Sequence, residues 1–320
     1  MNKLYIGIDI GGTKTSVVLG TGRCKILDKI KFPTQKEKGP DFTIDNIKKS
    51  IKEICKRSNI NFESIKKIGI SCGGPLNSKK GIILSPPNLP GWDNIPIKEI
   101  FEKEFKIPAN LENDANAAAL AEWKFGAGKG LRNLIFLTMG TGMGAGLILN
   151  GKLYSGTNDL AGEVGHIRLE KEGPIGYGKE GSFEGLCSGG GIAQLARKRI
   201  EEYKKNKIDS ILFKVEPNSI TAETVGKAAL SKDTLALKII EEVGYYLGLG
   251  LSILIDILNP EIIVIGGIAV RLGELILSPA RKVVYEEALK LSSEVCKIVP
   301  AGLGENIGDV AALCVAIFKK

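Results

Sequence analysis

The N-terminal stretch Leu4–Leu19 is organised as a strand, a glycine-rich turn and a second strand. Its first apolar run ends on a lone acid, Asp9, and the turn Gly11-Gly12-Thr13-Lys14 leads into the apolar run 17–19. Such a turn offers backbone N–H groups, a hydroxyl and an ammonium group to an anion, while a neighbouring carboxylate can hold a cation. The stretch therefore predicts a site for nucleotide phosphates and Mg²⁺.

The stretch Thr138–Gly146 repeats the same order of strand, polar residue, Gly-Thr turn and strand. Its predicted strands are Leu134–Leu137 and Leu147–Leu149. Asp9 and Thr138 occupy corresponding places in the two stretches, which indicates a weak internal duplication. We therefore predict an α/β protein of two lobes, each with one phosphate-binding hairpin.

An NAD-dependent enzyme is the alternative suggested by the glycines of the second stretch. A dinucleotide-binding fingerprint needs a helix after its glycines. Here the residues after Gly146 are apolar and then reach Asn150-Gly151, a turn signal, so a strand is expected instead. The sequence contains no GxxxxGK[ST] pattern, which excludes a P-loop.

Composition and charge favour a cytoplasmic globular protein. The length of 320 residues predicts about two domains, a small lobe at 1–116 plus 301–320 and a large lobe at 117–300. The net charge of +8 comes from scattered lysines with few aromatics among them, which favours solvated helix faces over a nucleic-acid surface. The cysteines lack CxxC spacing, and the longest apolar stretch, Leu247–Leu258, is too short to span a bilayer. We expect neither nucleic acid nor a membrane as a partner.

Helical spacing predicts helices at Asp41–Ser58 and Ile97–Phe105. The region from Gln194 to Lys290 is predicted to be mostly helical, with one strand at Ile262–Ile265. A final helix at Asp309–Phe318 is expected to pack back on the first lobe.

Asn113 and Asp114 stand between a predicted strand, Ala109–Glu112, and an Ala-rich predicted helix, Ala115–Phe125. This kind of junction is where α/β proteins place reactive groups. A carboxylate there could accept the proton of an alcohol during phosphoryl transfer, or the pair could cap the helix. Both roles are compatible, with one residue capping and the other pointing into a cleft.

Glycine-rich loops between 162 and 191 carry further polar candidates. His166, the single histidine, follows Glu163 by three positions, and Glu184 lies in another glycine-rich loop. Together with Asn113 and Asp114 they would form a hydrogen-bonding cluster suited to a polyhydroxyl ligand.

Taken together, these motifs resemble the ROK family (repressor, open reading frame, kinase) of the actin-like ATPase fold. The resemblance covers nearly the whole chain and rests on stretches in the family's order: Asp9–Lys14, Gly73–Pro75, Pro87–Trp92, Glu112–Ala117, Thr138–Gly142, Gly162–His166 and Ile265–Gly267. It implies two actin-like (ribonuclease H-like) lobes with a cleft between them. It also implies ATP-dependent phosphorylation of a hexose or N-acetylhexosamine, with a primary hydroxyl, O6, as the acceptor.

The resemblance implies a role for each motif residue. Asp114 would be the catalytic base, and Asp9 would serve Mg²⁺, often through water. The sugar would be bound by Gly74, Asn88, Asn113, Asp114, Glu163, His166 and Glu184. ATP would be held by Asp9, Gly11, Gly12, Thr13, Lys14, Thr138, Gly140, Thr141 and Gly142, with Gly266 and Gly267 beside the adenosine. The family resemblance also suggests a homodimer.

Two departures from the family pattern matter. Members often carry a zinc motif, CxCGxxGCxE, but its three cysteine places are held here by Ile175, Tyr177 and Ser182, which supply no thiolate. We therefore expect no zinc, with His166 left for the sugar. ROK repressors carry a helix-turn-helix domain before the kinase-like part, whereas this sequence starts directly before its first strand, so we expect the kinase branch.

The sugar itself cannot be read from the sequence. Glucose is the default because of the Pro87–Trp92 stretch and the general family resemblance. The altered loop 174–186 lies beside Glu184, so mannose, fructose, allose and N-acetylmannosamine remain alternatives. A sensor of the same fold that binds sugar without turnover is the alternative from another class, and the presence of Asp9, Thr141 and Asp114 argues against it.

Overall fold

The opening hairpin forms as predicted and belongs to a five-stranded mixed sheet. The computed structural model describes residues 3–205 and 209–319. The strands in the first part of the chain are β1 (Leu4–Ile10), β2 (Lys14–Thr21), β3 (Ile26–Pro33), β4 (Ile65–Cys72), β5 (Leu76–Asn77), β6 (Ile82–Ile83) and β7 (Ala109–Asn113). The sheet has the order β3-β2-β1-β4-β7, with β1 antiparallel to β2 and parallel to β4.

A second five-stranded sheet repeats this arrangement. The later strands are β8 (Leu134–Met139), β9 (Met143–Leu149), β10 (Lys152–Tyr154), β11 (Ile175–Gly176), β12 (Lys179–Glu180), β13 (Ile262–Ile265) and β14 (Lys297–Pro300). The second sheet has the order β10-β9-β8-β13-β14, which corresponds strand for strand to the first. The internal duplication predicted from Asp9 and Thr138 is therefore confirmed, since these residues lie at the ends of the corresponding strands β1 and β8.

Helices account for most of the remaining regular structure. They are α1 (Gly39–Arg57), α2 (Ile97–Phe105), α3 (Asp114–Phe125), α4 (Phe183–Cys187), α5 (Gly189–Lys205), α6 (Ala222–Leu230), α7 (Thr234–Leu258), α8 (Ile268–Leu272), α9 (Glu274–Glu287), α10 (Lys290–Val295) and α11 (Ile307–Phe318). No helix within residues 3–205 and 209–319 has the length and apolar character needed to cross a membrane.

The last helix packs on the first sheet, as predicted, and two glycines permit the contact. A Cβ atom at Gly69 on β4 would lie 2.2 Å from the Ala312 carbonyl oxygen, and one at Gly7 on β1 would lie 2.9 Å from the Leu313 nitrogen. Real Cβ atoms do not approach backbone atoms this closely. The backbone of α11 therefore rests directly on the two central strands.

The chain divides into two compact units. The first comprises the chain up to Gly126, the segment Leu153–Ala161 and the stretch from Glu305 onward, and the second comprises Ala127–Lys152 and Gly162–Gly304. These bounds differ from the predicted division after residue 116, which would cut through α3, a helix that packs against α11. Asp159 holds its segment in the first unit, because its carboxylate accepts hydrogen bonds from the Ser78 nitrogen at 2.8 Å and the Ser78 hydroxyl at 3.0 Å.

Other differences from the predicted elements lie at their ends. The strand after the second glycine turn begins at Met143 rather than Leu147, because the glycine-rich residues themselves pair with β8. It is followed by β10 and not by a helix. The NAD-dependent alternative required a helix after Gly146 and is therefore wrong.

Candidate active site

Asn113 and Asp114 divide the two roles that the sequence left open. The Asn113 side chain accepts hydrogen bonds from the backbone nitrogens of Ala115 at 2.9 Å and Asn116 at 3.4 Å, so it caps α3. The Asp114 carboxylate accepts one bond from the Ala115 nitrogen, at 2.8 Å, and its side chain is exposed. Asp114 is thus a reachable carboxylate at the first position of a helix.

The pKa of Asp114 is raised above its usual value, chiefly by burial. The side chain has a solvent-accessible surface, but the protein encloses it on its other sides, and this loss of water disfavours the charged form. The backbone bond from Ala115 opposes the shift. A carboxyl group that is accessible and also partly desolvated is suited to accept a proton from a bound alcohol.

A buried ion pair stabilises the junction between β7 and α3. Glu112 is almost fully buried, and its Oε1 atom accepts bonds from the Asn113 nitrogen at 2.9 Å and from the Asn116 Nδ2 atom at 3.1 Å. Its Oε2 atom accepts a bond from the Lys319 ammonium at 2.7 Å. Lys319 could not be predicted as the partner of Glu112, because no local sequence pattern links it to β7.

Asp9 lies opposite Ser16 on β2 and Ser71 on β4. Its pKa is raised to about 7, first by burial and then by the nearby carboxylates of Asp114 and Asp309, while a hydrogen bond from Ser71 lowers it. The carboxyl groups of Asp9, Asp114 and Asp309 therefore form one electrostatic cluster, to which a cation would be attracted.

Asp309 is a member of this cluster that the sequence analysis did not predict. It lies in the first turn of α11, is buried, and accepts a hydrogen bond from the Ser16 hydroxyl at 2.7 Å. It also forms an ion pair with Lys29 on β3. Its partners are far away in sequence, so only the fold reveals it.

The first glycine turn packs against the loop that contains Asn88. A Cβ atom at Gly12 would lie 2.8 Å from the Asn88 carbonyl oxygen, and one at Gly73 would lie 3.4 Å from the Asn88 Nδ2 atom. Gly74 is similarly close to Asn113, with 3.1 Å from its Cβ position to Nδ2. The first unit thus brings together the predicted residues around Gly12, Gly74, Asn88 and Asn113. The predicted phosphate ligands Thr13 and Lys14 are exposed, and Gly11 is half-buried.

The second glycine turn is closed by its own backbone and supported from two sides. The Gly140 nitrogen donates to the Gly142 carbonyl at 3.0 Å, and the Gly189 nitrogen, at the start of α5, donates to the Gly140 carbonyl at 2.7 Å. A Cβ atom at Gly267 would lie 2.1 Å from the Met139 carbonyl oxygen. Gly267 therefore lies beside this turn, while Gly266 packs against Phe136.

Gly189 was missed as a residue of this turn, although the run Gly189-Gly190-Gly191 is visible in the sequence. The three glycines open a helix whose N-terminus meets the turn. Thr138 lies on β8 opposite Gly144, and Thr141 is exposed at the tip of the turn.

Glu184 is attached to the same turn. Its carboxylate accepts a hydrogen bond from the Met143 nitrogen at 2.9 Å, and a Cβ atom at Gly142 would lie 2.8 Å from its Oε2 atom. His166 and Glu163 are exposed, and the imidazole of His166 meets the Tyr177 ring edge-on with 6.3 Å between centroids. A Cβ atom at Gly165 would lie 3.1 Å from the Glu184 Cβ, so the loop of His166 packs on Glu184.

Of the three positions where the family resemblance would place zinc cysteines, Ile175 and Tyr177 lie in a short hairpin and Ser182 precedes α4. Ile175 and Tyr177 are exposed, whereas Ser182 is fully buried and caps α4 by accepting a bond from the Gly185 nitrogen at 3.1 Å. No group of three or more His, Cys, Asp or Glu side chains arranged to hold a metal occurs among the described residues. The expectation that the protein binds no zinc stays a prediction.

Comparison with known proteins identifies the family. A model of the ROK family matches residues 5–318. The chain is also 34% identical over 311 residues to the glucokinase of Halalkalibacterium halodurans, covering 97% of this chain and 93% of that one. The chain belongs to the ROK family.

Solved structures and other relatives show how broad this ROK resemblance is. A ROK family glucokinase from Streptomyces griseus, in complex with glucose and AMPPNP, has a TM-score of 0.82 and 30% identity, covering 98% of this chain and 99% of that one. The xylose repressor of Caldicellulosiruptor bescii is 31% identical over 288 residues, covering 88% of this chain and 70% of the repressor. The predicted actin-like α/β fold is confirmed, but ROK proteins include both kinases and repressors, so the activity must be argued from the site.

Proposed function

We propose that this ROK protein is a kinase that transfers the γ-phosphate of ATP to a hydroxyl group of a hexose, most simply O6 of glucose. The observation that carries the proposal is Asp114, an accessible carboxylate at the end of β7 whose pKa is raised by burial. Carboxyl groups with a shifted pKa cluster at catalytic sites, which favours a kinase over a protein that only binds sugar.

Asp114 would accept the proton of the attacking hydroxyl as the phosphoryl group moves. Its raised pKa makes it a better base than an ordinary aspartate, and the capping role of Asn113 leaves it free for this work. Asn88, Asn113 and the backbone at Gly74 would bind other sugar hydroxyls. Glu163, His166 and Glu184 are further candidates for this role.

The two glycine turns would hold the phosphates. Backbone N–H groups of 11–14 and 138–142 would bind the phosphate oxygens, with hydroxyls from Thr13 and Thr141 and the ammonium of Lys14. These fixed donors would stabilise the charge that develops in the transition state, which is usually the largest catalytic contribution. Gly266 and Gly267 would lie beside the adenosine.

The residues around Asp9 fit a magnesium ion. Burial first, and then the carboxylates of Asp114 and Asp309, raise the pKa of Asp9 to about 7, so a bare negative charge on Asp9 is unfavourable and a cation would stabilise it. Mg²⁺ keeps several waters and takes further ligands from substrate phosphates, so a single protein carboxylate is a common arrangement. When bound, the ion would neutralise phosphate charge. Asp9 would hold it, directly or through water.

A sensor that binds sugar without turnover is the second candidate, because a repressor is among the relatives. An ADP-release assay with ATP and Mg²⁺ separates the two. The panel should contain glucose, mannose, fructose, allose, N-acetylglucosamine and N-acetylmannosamine. We expect ADP release that depends on one of these sugars, with glucose the first to test. Sugar binding without ADP release for any member of the panel would favour the sensor.

A further inference from the structure

We propose that Gln194 is a positioning residue. It would fix the hairpin at Ile175, and through it Glu184 and His166, relative to the glycine turn at Gly140. The inference rests on the proposed function, because it assigns Gln194 to the placement of Glu184 and His166. Gln194 belongs to α5 and comes one turn after the glycines that open this helix.

The side-chain amide of Gln194 makes three hydrogen bonds, one through its oxygen and two through its nitrogen. Its Oε1 atom accepts a hydrogen bond from the Ile175 nitrogen at 3.0 Å, and its Nε2 atom donates to the Ile175 carbonyl at 2.9 Å. The same Nε2 atom donates to the Gly190 carbonyl at 3.3 Å. An amide has two N–H groups and a carbonyl, so Gln194 matches the backbone of Ile175 as a neighbouring strand would.

The hairpin that begins at Ile175 is held by polar contacts. The Ser182 hydroxyl donates to the Gly176 and Lys179 carbonyls at 3.3 and 2.9 Å. The Arg168 guanidinium donates to the Glu180 carbonyl at 2.7 Å. The bonds from Gln194 add the attachment at Ile175, where the hairpin begins. Its strands β11 and β12 have two residues each, and a hairpin of this size is not stable alone. The Ile175 side chain is 54% exposed and that of Tyr177 is 66% exposed, so apolar burial anchors neither of them. The backbone bonds to Gln194 are therefore a main attachment of the hairpin to a regular helix.

Movement of this hairpin would move the predicted sugar ligands. A Cβ atom at Gly176 would lie 2.9 Å from the Glu184 Cβ, so the backbone after Ile175 rests on Glu184. The Tyr177 ring meets His166, and the Lys179 ammonium donates to the His166 carbonyl at 2.7 Å. The hairpin thus contacts both residues.

Gln194 also contacts the first turn of α5, which supports the glycine turn at Gly140. Gly190, whose carbonyl Gln194 also binds, follows Gly189, whose nitrogen donates to Gly140 at 2.7 Å. Gln194 therefore links the hairpin at Ile175 to the N-terminus of α5, and this N-terminus supports the glycine turn at Gly140. Loss of the Gln194 amide should loosen the start of the hairpin at Ile175 while leaving the bond between Gly189 and Gly140 in place.

The test compares Gln194→Ala and Gln194→Met with wild type and with Lys198→Ala, an exposed position one turn further along α5. Gln194→Met keeps the length of the side chain without its hydrogen bonds. With both bonds to Ile175 lost, the two Gln194 variants should raise the KM for the sugar about 10-fold while the KM for ATP changes less than about 2-fold. Amide hydrogen exchange in the segment 174–187 should become faster in both variants and stay unchanged in Lys198→Ala.

The outcomes separate this inference from the proposed function. In an active wild type, an unchanged sugar KM or unchanged exchange in the Gln194 variants would overturn the inference alone. Equal rises in both KM values together with a lower melting temperature would also overturn it, because they indicate a general structural role. Absence of any sugar-dependent ADP release in the wild type would overturn the proposed function and this inference with it.

Discussion

Gly308 lies so close to Asp9 that a Cβ atom at position 308 would be 2.5 Å from the Asp9 Oδ2 atom. The first turn of α11 therefore closes directly over the carboxylate that is proposed to serve Mg²⁺. The helix that packs on the first sheet, α11, therefore also contacts the proposed Mg²⁺ ligand at the end of β1.

Gly308→Ala should lower activity by displacing the Asp9 carboxylate. Alanine favours a helix over glycine by about 1 kcal/mol, so a loss of stability or activity would come from the contact and not from the helix. We expect the KM for Mg²⁺·ATP to rise several-fold, and the unfolding free energy to fall. In an Asp9→Ala background, which removes the clashing group, the same substitution should no longer destabilise the protein. Additive effects of the two substitutions on the unfolding free energy would contradict the close contact.

Asp114→Asn should reduce kcat by about 10²–10⁴-fold, the range in which a general base contributes. The fold should survive, because Asn113 supplies the helix cap and asparagine at 114 occupies nearly the same volume. Initial rates with the preferred sugar, together with a thermal melt, would test both statements. A variant with nearly the wild-type rate would show that another group accepts the proton.

The stability of Asp9→Asn relative to wild type should depend on pH. A carboxyl group whose pKa is raised from 3.8 to about 7 binds more protons in the folded than in the unfolded chain between these values. Stability falls with pH wherever the folded state binds more protons. The wild type should therefore lose stability relative to Asp9→Asn as the pH rises from about 4 to about 7, in urea titrations without Mg²⁺ or ATP. A pH-independent difference, or one that changes in the opposite direction, would show that the Asp9 pKa is not raised.

Lys319→Met should destabilise the protein by about 3 kcal/mol, because it leaves the buried Glu112 carboxylate without its cation. Urea unfolding measures this cost. Lys49→Met is a matched control at an exposed lysine on α1 and should change the unfolding free energy by less than about 0.5 kcal/mol. Adding Glu112→Gln to Lys319→Met should recover part of the loss, and failure to recover any would mean that the ion pair is not the cause.

Purified protein should contain no stoichiometric zinc, and a chelator should leave its sugar affinity unchanged once Mg²⁺ is restored. The hairpin 175–180 supplies no thiolate, and Ser182 is engaged in capping α4. Elemental analysis of the protein after dialysis is the direct measurement. One zinc per chain would require His166 to have a different role from the one proposed.

The parts of the site that the sequence predicted are those with local signals. The position of Asp114 follows from a strand, a polar pair and an Ala-rich helix in succession, and the turn at Gly140 follows from its glycines between two apolar runs. The sequence could not decide which of Asn113 and Asp114 caps the helix, because both side chains can do so. That choice depends on where the backbone of β7 ends.

The parts that the sequence missed depend on contacts between distant segments. Asp309 and Lys319 join the site only because α11 packs on β1 and β4, and neither residue differs in its local pattern from an ordinary surface charge. The compact units differ from the predicted lobes at α3, because this helix packs against α11, which lies far away in the sequence. Gly7 and Gly69 can be read from the sequence. Their role, which is to leave room for the backbone of α11, follows only from the packing of this helix.

The contact of α11 with Gly7 and Gly69 has a consequence for the way the protein is made. The helix follows the whole second unit in the chain, so a ribosome synthesises that unit completely before the cover of the first sheet emerges. Until then the central strands β1 and β4 have one apolar face exposed, and Asp9 lacks the helix turn that closes over it. The nascent first unit therefore cannot complete its core until α11 has been synthesised, after the whole second unit.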